Sequence, residues 1–202
     1  MHTTIIYDLG GVLIDWNPLY VFENYFATTE QRNYFFAHIC TNAWNEEQDA
    51  GRSLADGTEL LVQQYPEWET AIRDYYGRWE EMLRGPIQDS VEVFARLRST
   101  GQYRFYALTN WSAELFPIAL QRYDFLHWFD GRVVSGEEKT RKPFPEIYQC
   151  LLHRYKVAAA DALFIDDNER NVNAARELGI TSIHFQNAAQ LEHDLELLGI
   201  TV

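Results

Sequence analysis

Short apolar runs that stop at glycine or polar residues recur along the chain. The first covers residues 5–7 and ends at Asp8, with glycines at positions 10 and 11. Runs of this length, followed by turn residues, are typical of buried β-strands. Four more runs of the same kind cover residues 103–108, 132–134, 162–165 and 181–185.

Segments with helical apolar spacing lie between these runs. They cover residues 90–100, 113–123, 145–156, 169–178 and 188–198. The alternation predicts an α/β fold with a doubly wound, Rossmann-like parallel sheet that carries helices on both faces. Ligands of such sheets bind at the carboxyl ends of the strands. Asp8, Thr109 and the pair Asp166 and Asp167 all fall at those ends, so we expect these side chains to converge.

Residues 16–85 interrupt the alternation. Their patterns are helical over 19–27, 30–38, 54–64 and 68–83, with no clear strand. We therefore predict a helical cap at 16–85, inserted after the first strand. The α/β core is expected to comprise residues 1–15 and 86–202, because the Gly85-Pro86 pair marks the return to the main fold.

The cap segment (residues 16–85) is rich in aromatic residues, and most of them are expected to pack its core. Two are candidates for lining a pocket. Trp16 is close to Asp8 in sequence, and Trp44 lies in a polar stretch, residues 41–52, that is expected to be irregular.

Composition narrows the class of partner. The net charge is −13, which opposes binding to nucleic-acid phosphates and obliges any phosphate site to carry local cations. Two cysteines, Cys40 and Cys150, form no metal-type or disulfide pattern. The first residues do not resemble a signal peptide, and no run is long enough to span a membrane. We expect a soluble cytoplasmic protein that acts on a small molecule. The pattern leaves the oligomeric state open.

Two motifs could bind phosphate. Asp8 ends a buried strand, and the backbone N–H groups of the turn at Gly10 and Gly11 could cradle phosphate oxygens. Such a junction is also a common place for an ordinary turn aspartate. Thr109 and Asn110 end a second strand, where they could hold phosphate or simply cap the next helix.

Two further motifs carry charge. Lys142 lies between Arg141 and Pro143; a residue before proline is disfavoured in a helix, so this compact cation is expected in a loop. Asp166 and Asp167 follow an apolar strand, where adjacent carboxylates are costly unless a cation neutralises them. Mg²⁺ prefers oxygen ligands and is the natural partner. A capped helix start is the alternative reading of this pair.

The four motifs, in this order and in these contexts, resemble the signatures of the haloacid dehalogenase-like superfamily. The resemblance covers the whole chain, including the cap segment. It implies a phosphatase in which Asp8 is the nucleophile and forms an aspartyl-phosphate. The cap would close over the site and supply substrate specificity.

The resemblance also implies roles for the other motif residues. Thr109 and Asn110 would bind the transferring phosphoryl group, together with the turn at Gly10 and Gly11, and Lys142 would neutralise charge. Mg²⁺ would be held by Asp8, Asp167 and the backbone carbonyl of Gly10. Asp166 would either ligate the ion or support its ligands.

The chain departs from the superfamily pattern at one position. A second aspartate, which acts as general acid and base, normally lies two residues after the nucleophile, where this chain has Gly10. A positioned acid or base typically contributes about 10²–10⁴-fold to rate. Three explanations are open: a substrate with a good leaving group, replacement by another carboxylate such as Asp15, or loss of catalysis.

Further similarity favours the first explanation. Residues 8–10, 141–143, 147–149, 166–168 and 179–183 are similar to the bacterial α-D-glucose-1-phosphate phosphatase branch, which also has glycine at that position. The expected substrate is a small phosphorylated metabolite, in particular a sugar phosphate such as a hexose 1-phosphate.

Two other functions share the fold. In a 2-haloacid dehalogenase, Asp8 would displace halide from carbon without a metal; Asn110, Lys142 and Tyr148 also resemble that class. Its last motif is serine-rich, however, whereas this chain has two carboxylates that would repel an anionic haloacid. The second alternative is a catalytically impaired phosphate-binding protein, motivated by Gly10.

Overall fold

The computed structural model describes residues 2–201; Met1 and Val202, the ends of the predicted core, lie outside the described residues. Its strands are β1 (Thr4–Tyr7), β2 (Ile14–Trp16), β3 (Leu83–Pro86), β4 (Arg104–Thr109), β5 (Gly131–Val134), β6 (Ala162–Asp166) and β7 (Thr181–His184). Five of them form one sheet in the order β5-β4-β1-β6-β7, in which every neighbouring pair is parallel. The predicted parallel α/β fold is confirmed.

The strand order fixes where a ligand can bind. The chain runs outward from β1 through β4 to β5, then returns to the other side of β1 for β6 and β7. The direction of winding therefore reverses between β1 and β6, and ligands of open parallel sheets bind at such a reversal. Asp8 follows β1 directly, and Asp166 is the last residue of β6.

Alternate residues of β1 face two apolar layers. Ile5 and Tyr7 pack in the larger core cluster, while Ile6 packs in a second cluster with Ile147 and Ala175. Both faces of the strand are fully covered, which explains why the strand is continuously apolar rather than alternating.

Eleven α-helices lie in the described residues. They are α1 (Leu19–Phe22), α2 (Thr29–Tyr34), α3 (Asn42–Asp49), α4 (Leu54–Gln64), α5 (Glu69–Gly77), α6 (Gln88–Ser99), α7 (Phe116–Arg122), α8 (Ser135–Glu138), α9 (Pro145–Tyr155), α10 (Glu169–Glu177) and α11 (Ala188–Leu197). A π-helical turn, Phe35–Ile39, extends α2. Within residues 2–201, no helix combines the length and apolar character that a membrane crossing needs.

Helix α3 occupies a stretch that the sequence predicted to be irregular, so that prediction is wrong. Thr41 caps the helix by accepting a hydrogen bond from the Trp44 backbone N–H at 3.1 Å. Trp44 and Gln48, one turn apart, are both buried. Gln48 is polar, but its amide donates to the Trp44 carbonyl (2.8 Å) and to the Tyr76 hydroxyl (2.9 Å), so its burial costs little.

The predicted helix over residues 68–83 is divided into three pieces. A 3₁₀ turn (Pro66–Trp68) leads into α5, and a second 3₁₀ turn (Trp79–Met82) leads into β3. The expectation of no strand in the cap segment is also wrong at its two ends, because β2 pairs antiparallel with β3. This ribbon, with Asp15 opposite Gly85, joins the α/β sheet to the cap segment.

Candidate active site

Asp8 lies at the centre of a group of charged side chains. Its backbone N–H donates to the Ile165 carbonyl on β6 at 2.8 Å, which ties the end of β1 to the neighbouring strand. The residue is only 8% exposed. Its carboxylate Oδ1 accepts a hydrogen bond from the Leu9 N–H at 2.8 Å and lies 2.9 Å from Lys142 Nζ. The second carboxylate oxygen is therefore the one that remains for a reaction partner.

The two glycines after Asp8 differ in what they require. Gly11 has φ +76°, and a Cβ there would lie 2.3 Å from Asp167 Oδ2. Glycine is therefore favoured at position 11 by the left-handed backbone, and any side chain there would also displace the Asp167 carboxylate. A Cβ at Gly10 would meet nothing within 4 Å. Space does not exclude a side chain at Gly10, so the missing aspartate is a chemical difference and not a steric necessity.

Lys142 is buried and bonded to three partners. Its Nζ lies 2.9 Å from Asp8 and 2.6 Å from Asp166, and it donates to the Leu108 carbonyl at 2.8 Å. The loop that carries it is held by Asn110, whose Oδ1 accepts from the Lys142 N–H (2.8 Å) and whose Nδ2 donates to the Lys142 carbonyl (2.9 Å). The Asn110 amide thus positions the lysine backbone, which is a different contact from the phosphate contact expected of it.

Thr109, the last residue of β4, is 1% exposed. Within residues 2–201 its hydroxyl has no hydrogen-bond partner. Buried polar groups are nearly always paired in native proteins, so this hydroxyl, at a strand end beside Asp8, has an unused capacity to hydrogen-bond.

Asp166 and Asp167 differ in their surroundings. Asp166 is fully buried, and its carboxylate accepts from Lys142, from the Asn168 N–H (2.8 Å) and from Asn171 Nδ2 (3.0 and 3.1 Å). Asp167 is exposed, and the donor to its carboxylate is its own backbone N–H. The free oxygens of the pair therefore belong to Asp167.

The three carboxylates meet the requirements of a divalent cation. One ligand atom each from Asp8, Asp166 and Asp167 lies within 4.8 Å of the others. Loss of water around the carboxylate raises the pKa of Asp8, which is buried, and also the pKa of Asp167, whose carboxylate is partly enclosed although the residue as a whole is exposed. The neighbouring carboxylates add to both rises, and Lys142 opposes them. One lysine cannot neutralise three carboxylates, so the donor set fits an oxygen-preferring ion such as Mg²⁺.

A pocket opens beside Gly10. Its wall combines residues from the α/β core with residues from the cap segment: Gly10, Trp16, Asn45, Asp49, Trp79, Asn110, Trp111 and Leu115. Trp16 lines it, as predicted. Trp44 does not, and that prediction is wrong: it is buried in the cap segment, where its Nε1 donates to the Gly57 carbonyl at 3.0 Å.

Sequence reasoning missed three of the pocket residues that matter most here. Trp79 and Trp111 were not predicted to line a pocket, because a tryptophan near an apolar run is usually a core residue. Asp49 was not predicted either, because α3 lacks the apolar periodicity by which a helix is recognised in a sequence. The spacing of these residues could have indicated the helix. Trp44 and Gln48 are four residues apart and so share one helix face, and Asn45 and Asp49 share the face next to it.

Other candidate residues have structural partners. Tyr148 is buried, and its hydroxyl donates to the Asn171 carbonyl at 2.9 Å. Asp15 accepts from the Tyr20 hydroxyl at 2.7 Å and is absent from the pocket wall. Arg141 pairs with Glu46 of α3 at 3.0 Å, so the loop that carries Lys142 also contacts the cap segment.

A comparison of the sequence with protein families identifies one family. Residues 5–185 match the haloacid dehalogenase-like hydrolases.

The chain belongs to the haloacid dehalogenase-like hydrolase family.

Several relatives carry phosphatase names. A flavin mononucleotide hydrolase of Arabidopsis thaliana is 28% identical over 78% of this chain and 59% of its own length. A sesquiterpene phosphatase of Aspergillus oryzae is 26% identical over 91% of this chain and 89% of its own length. The chain spans only 36% of a third relative, a drimenol cyclase of Aspergillus calidoustus, at 24% identity.

A solved structure shares the fold. A haloacid dehalogenase-like enzyme of Bacteroides thetaiotaomicron, solved as a magnesium complex, superposes with a TM-score of 0.73. It is 21% identical, and the match covers 96% of this chain and 98% of that one. At this identity the likeness establishes the fold.

Proposed function

We propose that this haloacid dehalogenase-like hydrolase is a Mg²⁺-dependent phosphatase of a small phosphorylated metabolite, with Asp8 as its nucleophile. The observation that carries the proposal is the cluster of three carboxylates around one buried lysine at the switch point of the sheet. Asp8, Asp167 and the Gly10 carbonyl would hold the ion, with Asp166 supporting them through Lys142. When bound, Mg²⁺ supplies positive charge that offsets the carboxylates and the substrate phosphate.

The residues of the chain account for the chemistry in two displacements. In the first, an Asp8 oxygen forms a bond to phosphorus while the bond from phosphorus to the leaving oxygen breaks. In the second, water attacks phosphorus, and the Asp8 carboxylate leaves with its oxygens intact. Lys142 holds positive charge beside the Asp8 carboxylate, on the oxygen that does not attack, and the unpaired Thr109 hydroxyl is available to donate to a phosphoryl oxygen.

The pocket wall supports a sugar phosphate, such as a hexose 1-phosphate, as substrate. Trp16, Trp79 and Trp111 offer flat apolar faces, while Asn45 and Asp49 offer hydrogen-bonding groups. The indole N–H groups of Trp16 and Trp111 are buried without a partner among residues 2–201, so a substrate oxygen that reaches either ring would find an unused donor. A relative in Thermotoga maritima, 24% identical, is named a phosphorylated carbohydrates phosphatase.

The cap segment, residues 16–85, is proposed to supply this specificity. It contributes Trp16, Asn45, Asp49 and Trp79 to the pocket, whereas Asp8, Lys142 and Asp167 belong to the α/β core. The pocket wall that would recognise the substrate therefore depends on the cap segment.

A panel of substrates tests the proposed function. Phosphate release from hexose 1-phosphates, other sugar phosphates and p-nitrophenyl phosphate is measured with Mg²⁺ and with a chelator, alongside halide release from 2-chloropropionate. We expect Mg²⁺-dependent phosphate release and no halide. Metal-independent halide release would instead assign the chain to the haloacid dehalogenases. Phosphate and Mg²⁺ binding without turnover would identify a catalytically impaired binding protein.

A further inference from the structure

One ionisable side chain of the cap segment reaches the active-site pocket. Asp49 is the last residue of α3, and it lines the same pocket as Gly10 and Asn110. It therefore shares this pocket with the turn that follows Asp8. A leaving group bound in this pocket would lie between the phosphate site and the cap segment.

The Asp49 carboxylate is positioned by a chain of hydrogen bonds. Asn45 Nδ2 donates to Asp49 Oδ2 at 3.1 Å. Asn45 Oδ1 accepts from the Tyr76 hydroxyl at 2.9 Å, and that hydroxyl accepts from Gln48 Nε2 at 2.9 Å. This series of hydrogen bonds determines that the Nδ2 end of the Asn45 amide faces Asp49. It holds one carboxylate oxygen, so the position of the other is also defined.

Asp49 has no ion-pair partner in the part of the chain that the structure describes. The charged groups that act on it are Glu46, one turn earlier on α3, and Arg141 from the loop before α9. Burial raises the pKa of Asp49 to about 7, and Glu46 adds to the rise. Arg141 and a hydrogen bond with the Ser112 backbone oppose it. Both the protonated and the ionised forms are therefore accessible near neutral pH, as an acid–base group requires.

The usual acid–base residue is missing from a position that has room for it. A Cβ at Gly10 would meet nothing within 4 Å, so the pocket is open on that side. Because Asp49 lines the same open space, it can reach the region that the missing side chain would have served.

We propose that Asp49 is the general acid and base of this enzyme, in place of the aspartate that is absent at Gly10. The inference rests on the proposed phosphatase function. In the first displacement, protonated Asp49 gives its proton to the leaving oxygen as the bond to phosphorus breaks, and the alcohol departs. In the second, ionised Asp49 takes a proton from the attacking water, whose oxygen bonds to phosphorus as Asp8 leaves. Asp49 ends protonated, and the sum is phosphoester plus water giving alcohol plus phosphate.

The variant Asp49→Asn separates proton transfer from the rest of catalysis. p-Nitrophenolate leaves without a proton, so mixing with excess p-nitrophenyl phosphate should still give a rapid burst of one nitrophenolate per active site. The following steady state should be slow, because hydrolysis of the aspartyl-phosphate lacks its base. With glucose 6-phosphate, whose alcohol needs a proton, the burst itself should disappear and turnover should fall about 10²–10⁴-fold.

Two further variants complete the experiment. Glu47→Gln removes a charge from the exposed side of the same helix and should leave both substrates unaffected. Adding Gly10→Asp to Asp49→Asn should restore glucose 6-phosphate turnover, because it returns a carboxylate to the open space. If Asp49→Asn does not fold, the wild-type enzyme still gives a test: its rate should depend only weakly on the pKa of the leaving alcohol.

The outcomes are distinct. Equal loss of both bursts in folded Asp49→Asn, or retained glucose 6-phosphate turnover, would overturn the role of Asp49. A steep dependence of the wild-type rate on leaving-group pKa would overturn it as well. Absence of any phosphate release by the wild-type enzyme would instead remove the proposed phosphatase function on which the inference rests.

Discussion

The buried lysine offers a test of the electrostatic account that needs no substrate. Lys142→Met keeps much of the side-chain volume but removes the charge. Breaking a buried ion pair by removing one partner typically costs about 3–5 kcal/mol. Asp166 would keep its donors from Asn168 and Asn171, and Asp8 would keep the Leu9 N–H. We therefore expect the lower end, about 3 kcal/mol, for the loss in free energy of unfolding without Mg²⁺.

The loss should depend on pH in a defined direction. Burial raises the pKa of Asp8 and Lys142 lowers it, so the variant holds the Asp8 proton over more of the pH range. A carboxyl whose folded pKa exceeds its unfolded value contributes stability at low pH and loses it as pH rises through the folded pKa. The free energy of unfolding should therefore differ more between the wild-type protein and Lys142→Met at about pH 8 than at about pH 5.

Urea unfolding in the presence of a chelator, at both pH values, measures this difference. Lys156→Met is the matched control, because Lys156 is exposed and its removal should change the free energy of unfolding by no more than about 0.5 kcal/mol. If Lys142→Met were as stable as the control at about pH 8, Lys142 would not be neutralising the carboxylates, and the reasoning would be refuted.

Two further substitutions probe the metal site. Asp167→Asn should weaken Mg²⁺ binding in calorimetric titration by at least about tenfold, the loss seen even for residues that only support a ligand. Its free energy of unfolding without Mg²⁺ should not fall, because the substitution removes one of three carboxylates that repel one another; unaltered Mg²⁺ affinity would rule Asp167 out as a ligand. Gly11→Ala should lower the free energy of unfolding by about 1–3 kcal/mol through backbone strain. It should also weaken Mg²⁺ binding, since the new Cβ would fall 2.3 Å from Asp167 Oδ2; a variant with normal stability and affinity would contradict the geometry at this turn.

The α/β core was predictable because its strands are short apolar runs that stand out in the sequence. Residues 5–7 and 162–165 are apolar on both faces and end at polar residues, and parallel strands bring their carboxyl ends to one edge. The meeting of Asp8 and Asp166 follows from that topology, whereas only the family resemblance implied a role for Lys142 beside them. The sequence alone could not specify that Asn110 would hydrogen-bond the backbone of the loop that carries Lys142.

The cap segment was less predictable because packing, not periodicity, determines its structure. Helix α3 has few apolar residues, and its buried Gln48 is satisfied by Tyr76, which lies far away in sequence. Strands β2 and β3 are short and contain Asp15, Gly85 and Pro86, so neither shows strand alternation. The pocket residue Asp49 could not be placed until the helix that carries it was known.

The central claim is that Asp8 forms a covalent bond to the phosphoryl group. Its most direct measurement is rapid acid quenching of the enzyme during turnover of a phosphate-labelled hexose 1-phosphate with Mg²⁺, followed by mass spectrometry of the peptides. We expect one added phosphoryl group on the peptide that contains Asp8, and neither label nor turnover in a folded Asp8→Asn variant. Label on another residue, or phosphate release by Asp8→Asn, would contradict it.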